Sequence, residues 1–333
     1  MGGELKPSVV RCGLARLLRG APAWLVGLAL LGAAGAASAQ VAAPPLSPFS
    51  FVTDNPAAMQ WGKPSRIGAA YSKGELVTDP ATVKDGSEGG SAGIRLVDRP
   101  ASGALDYSRI ESTTRPFGQS EYDDVLRIAL AISLGKQISL GVGQTNEQIE
   151  TGGVSGQLRD SLETPLYGVT LRPAEWFYLG GAGGKENIKH DNLNFPAANY
   201  RTTRDVYLYG AGIRTAGGDG AAEVHIEYYV KDRGKYADAS VAGGRENSRT
   251  ATGEFLVASF LAAIAVTHTE RETGFPTSDE NRVELGLVPQ RGYALVVRGQ
   301  ETTDKFPAGA SIATRRDTVY TLAIIYQFRG IGF

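Results

Sequence analysis

From residue 65 onward the chain alternates hydrophobic and polar positions with a period of two. That is the period of a strand whose two faces meet different surroundings. Val125–Leu134 sets Leu126, Ile128, Leu130, Ile132 and Leu134 against Val125, Arg127, Ala129, Ala131 and Ser133. Glu223–Val230 sets Val224, Ile226, Tyr228 and Val230 against Glu223, His225, Glu227 and Tyr229. Residues 282–288, 293–300 and 318–328 repeat the pattern, the last with Tyr320, Leu322, Ile324, Tyr326 and Phe328 on one face. These segments run about 9–12 residues, the length a tilted strand needs to cross a bilayer, whereas strands in soluble domains average about 5–6. The apolar face then meets lipid and the polar face lines a lumen.

Connections alternate short and long. Gly135-Lys136, residues 172–175, 216–220, 259–261 and 289–292 are short; 150–163, 189–203, 231–249, 272–280 and 302–316 are long and polar. Short turns at one end and long loops at the other mark an outer-membrane barrel. The expected fold is therefore all-β, a transmembrane antiparallel up-and-down barrel. Arg66–Leu76 and eleven later segments give twelve strands. Gly93–Asp98 and Ala104–Ser112, joined by an Arg-Pro-Ala turn like that at 172–174, raise the count to fourteen. In the twelve-strand alternative, 77–122 is one outer loop. Phe255–Val266 is continuously apolar and fits either a tight strand hairpin or a buried helix. The chain closes on Tyr326, Phe328 and a terminal Phe333, which resembles the C-terminal signal of outer-membrane barrels and implies the barrel-assembly machinery as a partner during biogenesis.

Composition changes the picture at the N-terminus. Lys6, Arg11, Arg16 and Arg19 precede an apolar run over 23–34, and Ala37-Ser38-Ala39 supplies a small-x-small cleavage site. Residues 1–39 read as a signal peptide, 40–64 as a pre-barrel segment and 65–333 as the barrel. The one cysteine, Cys12, lies in the signal, so the exported chain is expected to hold together without disulfides. Removing four cations and Glu4 from 34 Lys+Arg and 35 Asp+Glu leaves 30 against 34, a net charge of −4. That balance gives no footprint for nucleic acid. With 43 Gly and 14 Tyr, the composition suits a β-rich exported protein.

A search for catalytic groups is mostly negative. His190, His225 and His268 share no metal-ligand spacing, and no cofactor motif occurs. Thr267-His268-Thr269-Glu270 is the nearest approach to a barrel hydrolase motif and lacks its asparagine. No catalytic residue, cofactor or metal is therefore expected, although a hydrolase remains the third-ranked function. Arg127, Glu223, His225, Glu227, Arg282, Glu284 and Arg298 sit on polar faces of good strands. Charges inside a barrel must pair or meet water, so complementary ladders are the preferred reading over ligand binding.

The stretch FVTDNPAAMQW, residues 51–61, precedes the first strand. Asn55 suits a helix cap and Pro56 a first helical position, while Pro44, Pro45 and Pro48 hold the lead-in extended. Phe49, Phe51, Met59 and Trp61 are bulky apolar groups that a solvated tail has no reason to carry. An Asn55-Pro56-Ala57 motif just before strand one resembles the FadL-like outer-membrane transporters of fatty acids and other hydrophobic compounds. The resemblance implies a fourteen-strand barrel whose lumen is plugged by a short N-terminal hatch. It also implies that a hydrophobic small molecule passes through an apolar pocket and a lateral opening. Phe49, Phe51, Asn55, Pro56, Ala57, Met59 and Trp61 are then the hatch and ligand contacts. The expected surroundings are outer-membrane lipid and lipopolysaccharide, around a monomer. The alternative is a small polar-lumen porin or a structural outer-membrane protein with no hydrophobic ligand.

Overall fold

A computed structural model describes residues 53–61, 65–79, 83–98, 100–114, 119–153, 156–192, 199–216, 222–238, 244–272, 275–289, 291–307 and 314–328. The expected signal peptide and Phe333 lie outside them. Within them the period-two segments become fourteen strands: β1 (Ser65–Asp79), β2 (Val83–Val97), β3 (Ala101–Thr114), β4 (Gln119–Leu134), β5 (Ile138–Gly153), β6 (Gly156–Ala174), β7 (Phe177–Asn192), β8 (Tyr200–Ala216), β9 (Ala222–Arg233), β10 (Glu246–Val257), β11 (Phe260–Arg271), β12 (Thr277–Leu287), β13 (Gly292–Lys305) and β14 (Thr314–Phe328). Each pairs antiparallel with its chain neighbours, and β1 pairs with β14 from Ser65↔Phe328 to Asp79↔Thr314, so the barrel closes. A six-residue 3-10 helix, Pro56–Trp61, precedes β1.

Outward positions are the exposed apolar ones, among them Ile67, Leu130, Tyr167, Ile226, Phe260, Val283, Tyr293 and Ile324. Such a continuous apolar exterior on a closed sheet is what hydrocarbon requires of a spanning barrel. The fourteen-strand count holds because 83–97 and 101–114 do pair, although Gly86, Gly89, Gly90 and Gly93 hide their alternation.

The strands run further than the alternation marks. Gly153 pairs with Gly156, His190 with Tyr200 and Lys305 with Thr314, so most of the expected loop 150–163 and about half of each of 189–203 and 302–316 are ladder. Above the bilayer both faces are wet, so a strand there has no apolar side and loses the period-two signal. Only 234–245 stays a long connection among those expected.

Phe255–Val266 is a hairpin, not a helix, turning at Ala258 with φ 55°. It is apolar on both faces for two different reasons. Phe255, Val257, Phe260 and Ile264 face outward, while Leu256 and Leu261 face inward and join Val288, Ala294, Val296, Ala323 and Ile325 in a core at the short-turn end. Ile324, about 56% exposed at an outward position, tests the lipid-facing assignment. Ile324→Arg is expected to destabilise the barrel by about 2–4 kcal/mol if the position lies near the bilayer midplane. Urea titration in phosphatidylcholine bilayers measures this, and an unchanged midpoint would remove the belt from this face.

Candidate functional site

Asn55 begins the short helix in the way its chemistry suggests. Its side-chain Oδ1 accepts from the Ala57 amide at 3.1 Å, and its carbonyl accepts from the Ala58 amide at 3.0 Å. Pro56, whose missing amide would have no partner in a first turn, follows it. The helix lies against the inner wall at β3 to β6. Asn55 Nδ2 donates to the Val169 carbonyl and to Thr170 Oγ1, both at 3.2 Å, on β6. Ser139 Oγ on β5 donates to the Ala57 carbonyl at 2.7 Å. Arg95 Nη2 on β2 donates to the Met59 carbonyl at 2.8 Å. Asn55, Ala57, Ala58 and Met59 are fully buried.

The wall has been emptied to admit this segment. A Cβ at Gly141 would stand 2.3 Å from the Ala57 nitrogen, and one at Gly168 would stand 2.1 Å from Asn55 Oδ1. Gly143 leaves room for the Pro56 ring. Beside them Met59 packs on Ala104, Ala129 and Ala131, three inward alanines of β3 and β4. Backbone thus meets backbone over β5 and β6, and a thioether fills the alanine floor. At the other end of the segment, the Asp54 carboxylate is a charged neighbour of Lys231 on β9.

The candidate residues divide accordingly. Asn55, Pro56, Ala57 and Met59 come together in the slot, and Trp61 ends the helix. Phe49 and Phe51 lie outside the described residues. The seven expected luminal charges occupy inward positions and all find partners. Arg127 bonds Asp106 at 3.1 Å, Glu223 bonds Arg214 at 2.6 Å, and Glu284 bonds Arg298 at 2.7 Å and Arg282 at 3.3 Å. His225 lies between Glu254 at 3.2 Å and Glu227 at 3.4 Å, and Tyr178 bonds both His225 and Glu227. Among the described residues no group of three or more His, Cys, Asp or Glu is placed to hold a metal.

Sequence reasoning missed Arg95, Ser139, Thr170, Tyr178, Glu254 and the three glycines. Each lies on the inward face of its strand, and that parity was the available signal. It also missed an apolar strip farther round the wall. Leu166, Ala182, Val206 and Leu208 face inward on β6, β7 and β8, and the last three are buried. Next to it the ladder between β6 and β7 lacks two rungs, since pairing runs from Glu163↔Asn187 directly to Leu166↔Gly184. Pro165, which has no amide to donate, sits in that gap.

No protein-family model matches the sequence, and no curated protein sequence matches it. Solved structures do. The CymD monoaromatic hydrocarbon channel superposes with a TM-score of 0.57 at 9% identity, over 84% of this chain and 92% of that one. A Pseudomonas aeruginosa FadL homologue gives 0.56 at 10% identity over 88% and 100%, and a TodX mutant monoaromatic hydrocarbon channel 0.54 at 7% over 83% and 93%. This barrel shares their fold.

The glycine floor predicts how the segment is held. With Ala58→Cys as reporter in a chain whose one native cysteine, Cys12, is changed to serine, maleimide should label the thiol slowly because the site is fully buried. Adding Gly141→Val should speed labelling about tenfold or more, since its Cβ cannot coexist with the Ala57 backbone. Gly253→Ala, whose nearest neighbour would be 3.8 Å away, should leave the rate alone. Equal rates in all three would mean that the slot does not hold the segment.

Proposed function

We propose that the protein is an outer-membrane channel for passive uptake of hydrophobic small molecules, gated by an N-terminal hatch formed by residues 40–64. The observation that carries this reading is the seating of Asn55–Met59 on a floor of glycine and alanine inside the barrel. A chance tail would not find three inward glycines and two polar side chains aligned to receive its backbone. The likeness in fold to hydrocarbon channels supports it, as does the apolar strip on β6 to β8.

In this reading a hydrophobic molecule binds on the strip, driven by burial of its surface at roughly 25 cal/mol per Å². It leaves sideways where Pro165 interrupts the β6–β7 ladder, avoiding a crossing of the charged lumen. Outward Tyr167 on β6 and Tyr207 on β8 would meet it there. A second reading, a small porin for polar solutes, is favoured by the many inward charges. Their mutual pairing argues against it, because paired charges offer little to a passing ion.

Uptake of labelled toluene into cells expressing the full chain, against cells carrying an empty vector, tests the proposal. Expression should raise toluene entry severalfold, Pro165→Val should return most of that gain, and deleting 53–61 should raise ion conductance in planar bilayers. Toluene entry no faster than in the control cells would rule out the hydrophobic channel. Conductance unchanged by the deletion would rule out the hatch.

A further inference from the structure

The outward face of β10 changes character halfway along its length. From the short-turn end it runs Phe255, Gly253 and Ala251, then Arg249 and Arg245. Gly253 and Ala251 stand between their register partners, Ile226 and Tyr228 on β9 and Ile264 and Val266 on β11. Those four flanking side chains are each about half exposed, so the two small residues floor a furrow in the apolar belt. A Cβ at Gly253 would have its nearest neighbours 3.8 and 3.9 Å away, so nothing fills the furrow there. Other outward glycines lack one half of this arrangement. At Gly183 on β7 the Tyr207 ring would stand 3.2 Å from a Cβ and occupies the equivalent space, while Gly299 on β13 is followed outward by an acid, Glu301.

Above the furrow, Lys235, Arg245, Arg249 and Arg271 line a recess of about 480 Å3 together with Glu270 and Glu272. The recess adjoins the long connection 234–245, and long connections mark the outer end of such barrels. Arg249 lies one outward position beyond Ala251, about 7 Å along the strand, so the cations begin where the belt stops. Each outward cation already has a carboxylate: Lys235 has Glu272 at 2.5 Å, Arg249 has Glu270 at 3.2 Å, and Arg245 has Asp232 at 2.9 Å. The three cationic side chains are 50–67% exposed, so these pairs are wet, weak and open to exchange. A phosphate monoester carries more charge than a carboxylate and three acceptor oxygens, which suits the fork of a guanidinium. Arg245 and Arg249 are about 13 Å apart along the strand, a spacing for two phosphates at opposite ends of a disaccharide.

We propose that this face binds one phosphorylated acyl glycolipid of the outer leaflet, the lipid A portion of lipopolysaccharide. One acyl chain lies in the furrow over Gly253 and Ala251. The phosphates bridge Arg249, Arg245 and Lys235, and the surface carboxylates give way to them. The site lies on the outer wall, so it stands or falls separately from the solute that the lumen carries.

Native mass spectrometry of the full barrel in detergent tests this with bisphosphorylated lipid A, its dephosphorylated form and phosphatidylglycerol. One lipid A is expected to bind saturably, at least tenfold tighter than either of the other two lipids. Arg245→Gln with Arg249→Gln should weaken lipid A binding at least tenfold. Gly253→Leu, which fills the furrow and leaves the cations, should weaken it about fivefold. Lys73→Gln with Arg109→Gln removes the same charge from outward positions of β1 and β3 and should change it less than twofold. Heat-modifiable migration on gels confirms that each variant folds. Equal loss in the two double variants would reduce the effect to net charge and overturn the site. Equal binding of the dephosphorylated lipid or of phosphatidylglycerol overturns it as well, as does full binding to the Gly253→Leu variant. Toluene uptake decides the channel whichever way these results fall.

Discussion

Inside hydrocarbon every backbone amide must find a partner, and the rest of this molecule follows from the way fourteen strands meet that demand. Closure of β1 onto β14 removes both sheet edges. It also creates an interior too wide for facing side chains to fill as they do in barrels of about eight strands. That interior is occupied in three ways. An aliphatic cluster around Leu261, Val296 and Ile325 fills part of the short-turn end. Paired charges such as Glu284 with Arg298 and His225 with Glu254 line the wall of β9 to β13. Over β3 to β6 the wall side chains shrink to glycine and alanine, and a piece of the chain itself takes their place.

The third solution depends on the absence of atoms. Hydrogen bonds from Ser139, Arg95 and Asn55 fix the register of the segment, but each is worth about 0.5–1.5 kcal/mol net, somewhat more where charged. A single methyl at Gly141 or Gly168 would put atoms within 2.3 Å of the segment, a closeness that no flexible side chain is present to absorb at Gly141. Steric permission decides whether the segment seats, and polar contacts decide where. The same economy appears at the break in the β6–β7 ladder. There Gly184 has no side chain, and a Cβ would stand 1.8 Å from the Pro165 carbonyl.

How much of this was legible follows from where one face of a strand differs from the other. In β4 and β14 the bilayer supplies the contrast, and Leu126–Leu134 and Tyr320–Phe328 read as strands at once. Beyond the bilayer the contrast disappears, so β5, β6 and β13 read as too short. In β2 glycine and serine occupy both faces, and the turn Arg99-Pro100-Ala101-Ser102 was the cue that recovered the strand. The inner end of the β10–β11 hairpin was ambiguous because it is apolar inside and out. The Asn55-Pro56 turn was legible from local chemistry. Its seat was not, because Gly141, Gly143 and Gly168 come from strands more than eighty residues downstream, and among 43 glycines nothing local marks them. Arg95 was passed over for a similar reason: it falls in a short stretch, Gly93–Asp98, where alternation is weak.

Arg95 also sets how firmly the segment stays seated. Lifting the segment leaves a buried guanidinium without its acceptor, at a cost of about 1–3 kcal/mol or more. That term alone biases the seated state by roughly ten- to a hundredfold. Seating also orders the segment's backbone at about 1–2 kcal/mol per residue, which opposes that bias.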